Sequence, residues 1–213
     1  MTYLNYETDM ESKEKNTKEK ILEEALKLFA QSGYMGTSMN DIASKLGVTK
    51  AALYKHYKSK QEILDSIIEK MNELDIERVK LYEMPEGDLE KVTAEYKETA
   101  FDKIKQFTKV QFLHWTEEEF SSCFRKMLTL EQYREPQMAQ LYQNYLASGP
   151  LTYMEALFSG MLGDEGKARQ TALDFYGPIF LLYSIYDGAE DKSHVIKLLE
   201  EHMDQFLQEM QTR

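Results

Sequence analysis

A run of basic and aromatic residues between positions 49 and 60 holds the side chains in this chain that are best suited to binding a polyanion. Lysine, tyrosine and histidine can donate hydrogen bonds to phosphate oxygens. The donors of this run are Lys50, Lys55, Lys58 and Lys60 together with Tyr54, His56 and Tyr57. Two small residues, Ala51 and Ala52, stand among them and would leave one side of a helix slim enough to approach base edges. These residue types indicate binding to double-stranded DNA.

Two short helices joined by a tight turn are predicted between Thr37 and Lys60. Ser38 or Asn40 can cap the first helix, and Gly47 suits the left-handed backbone at its end. The apolar positions are Met39, Ile42, Ala43 and Leu46 on the first helix and Ala52, Leu53 and Tyr57 on the second. This layout is typical of a helix-turn-helix, whose second helix enters the major groove. A helical hairpin with a solvated basic rim is the alternative.

The charge of the chain is unevenly distributed. The whole sequence carries a formal −11, which does not favour a polyanionic partner. Residues 17–60, however, contain eight lysines and four acidic residues, so this segment carries +4 and the rest of the chain −15. A basic N-terminal module on an acidic body is expected when only one end of a protein meets DNA.

Several short motifs between Thr17 and Leu64 occur in a characteristic order. They are Ala25-x-x-Leu28-Phe29, Gly33-Tyr34-x-Gly36-Thr37-Ser38, Ile42-Ala43, Gly47-Val48-Thr49, Leu53-Tyr54-x-His56-Tyr57 and Lys60-x-x-Ile63-Leu64. The segment resembles the N-terminal DNA-binding domain of the TetR family of transcriptional regulators. Tyr57 stands where that family usually has phenylalanine, and Ala52 where glycine or threonine is frequent. The resemblance leaves the remaining three quarters of the chain uncovered.

The helix-turn-helix predicts which residues meet DNA. Residues 49–55 are expected in the major groove, with Thr49, Lys50 and Ala51 at base edges, Ala51 or Ala52 against a thymine methyl, and Lys55 among the phosphate donors. The remaining predicted phosphate contacts are Thr37, Ser38, Tyr54, His56, Tyr57 and Lys60. The positive end of the following helix dipole would assist Lys60.

The sequence predicts an all-α fold in three parts. Residues 1–16 are expected to form a flexible arm, residues 17–62 the helix-turn-helix domain, and residues 63–213 a larger helical domain for ligand binding and dimerisation. Asn16-x-x-Glu19 and Thr116-x-x-Glu119 fit capping boxes at helix starts. Long helices are expected at about 60–82, 88–112, 167–186 and 193–210, with a helix start at Pro136 and a kink or break at 148–150.

The last two helices are predicted to form a dimer interface, as the resemblance also implies. Their apolar residues are too many for one buried stripe and recur at near-heptad spacing in the final helix. They are Phe175, Ile179, Phe180, Leu182, Tyr183, Tyr186, Val195, Ile196, Leu199, Met203, Phe206, Leu207 and Met210. The alternative is that both helices simply cover the core of a single chain.

The middle of the chain is rich in aromatic residues and methionine, which suit the wall of a pocket for lipophilic molecules. The resemblance implies an inducer pocket in this part of the chain. The predicted wall residues are Tyr96, Phe112, Trp115, Phe124, Tyr142 and Phe175. His114 or Gln111 is expected to supply a polar anchor, although His114 also fits a surface turn. For each aromatic residue alone, ordinary core packing is the alternative.

No catalytic or metal-binding pattern occurs in the sequence, so we expect neither an enzyme nor a cofactor. The four histidines lack ligand spacing with Cys123, and this single cysteine excludes an intrachain disulfide and suits a cytoplasmic protein. The longest apolar run, residues 175–186, is shorter than the roughly 20 residues needed to span a bilayer. The N-terminus lacks the basic and apolar pattern of a signal peptide.

Together these features predict a homodimeric, sequence-specific DNA-binding repressor that a small lipophilic effector releases from its operator. Three alternatives stay open. The protein could activate transcription with the same fold, or bind ligands or act as a scaffold without reading DNA. It could also coat DNA without sequence preference, in which case its affinity would be uniform and strongly salt-dependent.

Overall fold

A computed structural model describes the backbone of residues 3–212 and the side chains of residues 16–211. This part of the chain forms eleven helices and contains no strand. The helices are α1 (Tyr3–Ser32), α2 (Met39–Lys45), α3 (Lys50–His56), α4 (Lys60–Leu81), α5 (Leu89–Glu98), α6 (Phe101–Thr116), α7 (Glu119–Glu131), α8 (Pro136–Leu146), α9 (Ser148–Leu162), α10 (Glu165–Gly188) and α11 (Lys192–Thr212).

The first three helices form a small module around a shared apolar centre. Phe29 of α1 is fully buried and meets the edge of the Tyr34 ring at 5.1 Å between centroids. Ile42 of α2 and Leu53 of α3 are buried at the same centre. Ser38 is the residue that caps α2, in a reciprocal capping box with Asp41, and Gly47 has the expected positive φ of 66°.

The first helix begins earlier than the sequence suggested. It runs from Tyr3, so residues 3–16 extend α1 where an arm was expected, and Asn16 is not a helix cap. The residues of this stretch include many good helix formers, among them leucine, methionine, glutamate and lysine, which the missing apolar periodicity concealed. Residues 1 and 2 of the expected arm lie outside the described residues.

Helix α4 leads from the module into the body of the protein. Ser59 caps its start, where the side chain accepts a hydrogen bond from the Glu62 backbone at 3.0 Å. Ile63, Leu64, Ile67 and Met71 form its fully buried stripe. The module and the body share one continuous apolar core, which extends from α1 to α11.

Two predictions for the middle of the chain are wrong. The helix expected at 88–112 is divided into α5 and α6, because the backbone leaves the helical conformation at Thr99 and Ala100. Thr116 does not cap α7, since its hydroxyl donates to the Phe112 carbonyl at 2.8 Å and α6 continues to that residue. The start at Pro136 and the division near residue 148 agree with the structure.

The body packs α9 and α11 against α10, with α6 closing the other side. Ion pairs tie α6 to α11, with 2.6 Å between Lys109 Nζ and Glu200 Oε1 and 2.5 Å between Lys105 Nζ and Asp204 Oδ1. Of the residues predicted for a dimer interface, Phe180 is exposed and Ile196 and Met210 are half-buried. The other ten are buried within the single chain, because α10 and α11 turn their most apolar sides toward the core.

Among the described residues, no helix is both long and apolar enough to cross a membrane.

Candidate nucleic-acid interface and internal cavity

Helix α3 presents its N-terminal half to solvent. Thr49 caps the helix, and its hydroxyl oxygen accepts a hydrogen bond from the Ala52 backbone at 3.2 Å. Leu53 points inward and is 1% exposed, so the opposite side of the helix faces solvent. The exposed residues, called the α3 face below, are Thr49, Lys50, Ala51, Tyr54 and Lys55. Small, hydroxyl and cationic groups therefore share one surface that can enter a major groove.

Three residues predicted as phosphate contacts have structural roles within the module. Thr37 is 2% exposed and its hydroxyl donates to the Gly33 carbonyl at 2.8 Å. Tyr57 is 4% exposed, and burial raises the pKa of its phenol. Lys60 is half-buried, and its Nζ donates to the carbonyls of Tyr34 at 2.6 Å and Thr37 at 2.7 Å. Thr37 and Tyr57 are thus buried in this conformation, and the Lys60 ammonium is held by two carbonyls.

Lys60 acts as a clamp inside the module. Its ammonium lies 4.3 Å from the centre of the Tyr34 ring, in addition to its two carbonyl acceptors. Burial lowers the pKa of this lysine, although the Glu131 carboxylate of α7 acts in the opposite direction. The clamp joins the turn between α1 and α2 to the first turn of α4.

The other predicted DNA contacts surround the α3 face. Ser38 is exposed but donates its hydroxyl to Asp41 at 2.6 Å, which lowers the pKa of that carboxyl. Ala52 and His56 are half-buried, and His56 Nδ1 is buried without a partner among the described residues. Sequence reasoning missed Val48, which precedes the α3 face and is 43% exposed.

The body encloses a cavity of about 670 Å³ bounded by α4, α5, α6, α8, α9, α10 and α11. Of the six predicted wall residues, Tyr96, Phe112, Trp115 and Phe175 line it. Phe124 and Tyr142 do not. Phe124 is fully buried beside the cavity and meets the Tyr145 ring edge-on at 5.1 Å between centroids. Tyr142 is half-buried against the core outside the cavity wall.

Several aromatic wall residues were not among those predicted. They are Phe101, Phe107, Tyr145, Tyr153, Phe158, Tyr176, Tyr183 and Phe206. Tyr183 stacks on Phe112 at 5.2 Å between centroids, and Phe206 meets Phe175 edge-on at 5.1 Å. Burial raises the pKa of the Tyr176 and Tyr183 phenols, so both stay neutral. Tyr183 and Phe206 were assigned to the dimer interface from their spacing in α10 and α11, and only the fold shows that they line the cavity.

A polar cluster joins α4 to the end of α6. His114, predicted as a pocket anchor or a surface residue, is neither, since it is fully buried and does not line the cavity. Its Nδ1 lies 2.7 Å from Glu118 Oε2 and also contacts the Arg78 guanidinium. Burial lowers the His114 pKa to about 4, while Glu118 acts in the opposite direction. Gln111, the other predicted anchor, does line the cavity.

Asp75 belongs to the polar cluster and also lines the cavity. Its Oδ1 lies 3.4 Å from Arg78 Nη1 and 3.6 Å from His114 Nε2. Burial raises the Asp75 pKa to about 6, and the nearby Arg78 charge limits that rise. The described residues contain no cluster of three or more His, Cys, Asp or Glu residues arranged to hold a metal ion. The wall of the cavity is thus mostly apolar, and Asp75 and Gln111 are among its few polar residues.

The N-terminal module is similar in sequence to known proteins. A family model described as bacterial regulatory proteins, tetR family, matches residues 21–67. The negative transcriptional regulator IcaR of the biofilm operon icaADBC from Staphylococcus epidermidis is 42% identical over 52 residues, and IcaR from Staphylococcus aureus strain Newman is 41% identical over 51 residues. Each match covers 24% of this chain and less than a third of the relative, 28% and 27% respectively.

Solved structures extend the similarity to the whole fold. A transcriptional regulator of the TerR/AcrR family from Aquifex aeolicus is similar with a TM-score of 0.62 and 21% identity, over 89% of this chain and 98% of that one. A transcriptional regulator from Saccharomonospora viridis in complex with choline gives a TM-score of 0.62 and 18% identity, over 91% and 96%. At such identities these structures show the fold alone. The prediction of an all-α fold with an N-terminal helix-turn-helix and a larger helical domain is confirmed.

The helix-turn-helix, the matched family model and the shared helical body agree with one another. The family that they indicate consists of transcriptional regulators and not of enzymes. The N-terminal module, residues 21–67, is that of the TetR family of bacterial regulatory proteins, and the whole chain shares the fold of solved regulators of this type.

Proposed function

We propose that this protein is a homodimeric transcriptional repressor that leaves its operator when a lipophilic molecule occupies the cavity. The observation that carries the proposal is the α3 face, where Thr49, Lys50 and Ala51 are exposed together at the head of a helix that buried Leu53 anchors. The curated relatives that share this module are negative regulators, which favours repression over activation.

DNA reading requires two copies of the α3 face at a fixed distance. An exposed apolar stripe on α10 supports such a dimer, since Leu173, Phe180, Leu181 and Ile185 are between 38% and 60% exposed. Leu173 and Phe180 are seven positions apart and Leu181 and Ile185 are four apart, so the four residues lie on one broad side of α10. Contiguous apolar surface of this kind marks interaction sites. A stripe from each protomer would pack against the other.

Effector coupling is proposed to run through α4. Asp75 and Val79 of this helix line the cavity, while Lys60 at its start clamps the helix-turn-helix module. A ligand that binds more tightly when α4 is displaced would favour a dimer whose α3 faces no longer match successive major grooves. The apolar cavity, of a volume usual for small-molecule sites, supports this role.

The test is fluorescence anisotropy of the full chain with labelled duplexes at two salt concentrations. One duplex carries the DNA upstream of the protein's own coding sequence, and the other a scrambled version. We expect a preference of about 10³-fold or more for the upstream DNA. Equal and strongly salt-dependent binding to both duplexes, or no binding at low salt, would contradict a sequence-specific regulator of its own promoter.

Two lysine variants sharpen this test. Lys50→Ala removes a cation from the α3 face and should weaken operator binding by roughly tenfold, because one DNA contact contributes about 1–3 kcal/mol. Lys197→Ala removes an exposed cation from α11 and serves as the control. Its operator affinity should equal that of the unaltered chain. Equal losses in both variants would show that only overall charge, and not the α3 face, governs binding.

A further inference from the structure

The cavity wall carries charge of one sign. Asp75 is the one charged side chain among the described residues that line it, and no lysine, arginine or histidine does so. Around Asp75 the charges do not cancel. Arg78 is shared between two carboxylates, because its guanidinium contacts Asp75 at 3.4 Å and Glu118 at 3.1 Å. His114 is neutral near pH 7, since its pKa is lowered to about 4. The cluster therefore carries one uncompensated negative charge at the wall.

A second polar atom in the same wall lacks a partner. Gln111 Oε1 is buried, and no hydrogen-bond donor among the described residues reaches it. A buried acceptor left unpaired is unfavourable, so a ligand that donates a hydrogen bond there would bind more tightly. Gln111 lies on α6 one turn from Trp115, whose ring also lines the cavity.

Aromatic rings supply the rest of the recognition surface. Trp115 and Tyr145 line the cavity with 6.5 Å between their centroids, in an edge-to-face arrangement. Ring faces attract cations, most strongly when water is excluded. A carboxylate, by contrast, would find no cation in this wall and would face Asp75, which makes its burial costly.

We propose that the cavity binds lipophilic amines in their protonated form, the ammonium group pairing with Asp75 and donating a hydrogen bond to Gln111, and that it rejects carboxylates of the same size. The inference rests on the proposed effector role of the cavity. It adds the chemical class of the effector, which the apolar walls alone do not define.

Four decyl compounds below their micellar concentrations test the class. They are decylamine, decyltrimethylammonium, decanol and decanoate, which differ only at the head group. Trp115 is the single tryptophan of the chain, so its fluorescence reports binding in the cavity directly. At pH 7.5 we expect decylamine to bind about tenfold more tightly than decanol, as one additional polar contact provides. Decyltrimethylammonium should be intermediate, because it carries the charge but no N–H, and decanoate should be weakest.

Variants assign the preference to the two residues. Asp75→Asn should remove the advantage of both cations over decanol, whereas Gln111→Leu should remove only the advantage of decylamine over decyltrimethylammonium. Glu77→Gln is the matched control, because it neutralises an exposed carboxylate on the same helix outside the cavity wall. It should leave the order of affinities unchanged, and circular dichroism checks that each variant is folded.

The possible failures are distinguishable. Decanoate binding as tightly as decylamine, a preference that survives Asp75→Asn, or no response of Trp115 to any probe would overturn the inference. None of these results bears on operator binding by the α3 face. Conversely, if decylamine binds as expected but leaves the operator complex intact at saturation, the ligand class stands and the proposed release mechanism fails.

Discussion

At the residue scale, the polar cluster determines the pH at which the Asp75 carboxyl of the cavity wall ionises. Asp75 is faced by Arg78 from its own helix, by His114 of α6, by Glu118 before α7, and by the phenols of Tyr145 and Tyr183 from α8 and α10. Burial raises its pKa to about 6 against the influence of Arg78. Because the pKa of Asp75 is higher in the folded than in the unfolded chain, ionisation of this carboxyl stabilises the unfolded state relative to the folded state. This group therefore contributes stability below its unfolded pKa and loses that contribution as the pH rises through 6.

The same pKa makes amine binding depend on pH. Between pH 7.5 and pH 5 Asp75 takes up a proton, while decylamine stays cationic and His114, with its pKa of about 4, stays mostly neutral. We expect decylamine to bind about fivefold more weakly at pH 5, because only about a tenth of the carboxyl is ionised there and the neutral form keeps the affinity expected of decanol. Titration of Trp115 fluorescence measures this. A parallel loss of decanol affinity would instead indicate a general change in the cavity.

Residue types alone pointed to the α3 face, which is exposed in the structure, but could not separate its neighbours by role. Lys50 and Lys60 are both lysines in a basic run, yet one is exposed and the other donates to two buried carbonyls. Lys60 differs from Lys50 because α4 lies against the turn between α1 and α2, where Lys60 contacts residues more than twenty positions away in the sequence. His114 was misassigned for the same reason, because its partners Arg78 and Asp75 come from α4.

At the element scale, local signals predicted helix ends well wherever a side chain enforces them. Ser38, Gly47 and Pro136 act within their own turns, so the sequence was sufficient. The division between α5 and α6 has no such marker, since Thr99 and Ala100 are neither glycine nor proline. The aromatic residues of α10 and α11 were identified as important, but whether they face a cavity, the core or a partner depends on how α6 packs on them.

The contact between the α1–α2 turn and the end of α7 can be tested with a pair of glycines. A Cβ on Gly33, which has a φ of 81°, would overlap Oε1 of the fully buried Glu131, whereas one on Gly47, with a φ of 66°, meets open space. Both alanine variants should lose about 1 kcal/mol from left-handed strain. Gly33→Ala should lose roughly 1–3 kcal/mol more through overpacking. Urea unfolding measures both, and equal losses would rule out tight packing at Gly33.

At the scale of the whole molecule, the proposed function requires two chains. The α10 stripe is the exposed apolar surface that supports this, and Leu181, at 60% exposed, is its most accessible member. Leu181→Glu places a charge where the second protomer would pack. We expect light scattering at micromolar concentration to change from about twice the 25.0 kDa chain mass to a single chain mass. Burying an unpaired charge in the interface is the cause.

A control substitution separates the interface from general surface effects. Leu89→Glu alters a leucine on α5 that is 44% exposed outside the stripe, and it should leave the mass unchanged. Operator affinity should fall with the mass in the Leu181 variant, because a lone chain presents one α3 face. A dimer that persists after Leu181→Glu would place the interface on another surface.

The continuous core that joins the module to the body has a consequence for folding cooperativity. Because buried residues of α1, α4, α7 and α11 belong to one packed cluster, the DNA-reading end cannot melt while the body stays intact without exposing apolar surface on both sides. Heat should therefore unfold the chain as one thermodynamic unit. Any compound that stabilises the body should therefore protect helix α3 from thermal denaturation as well.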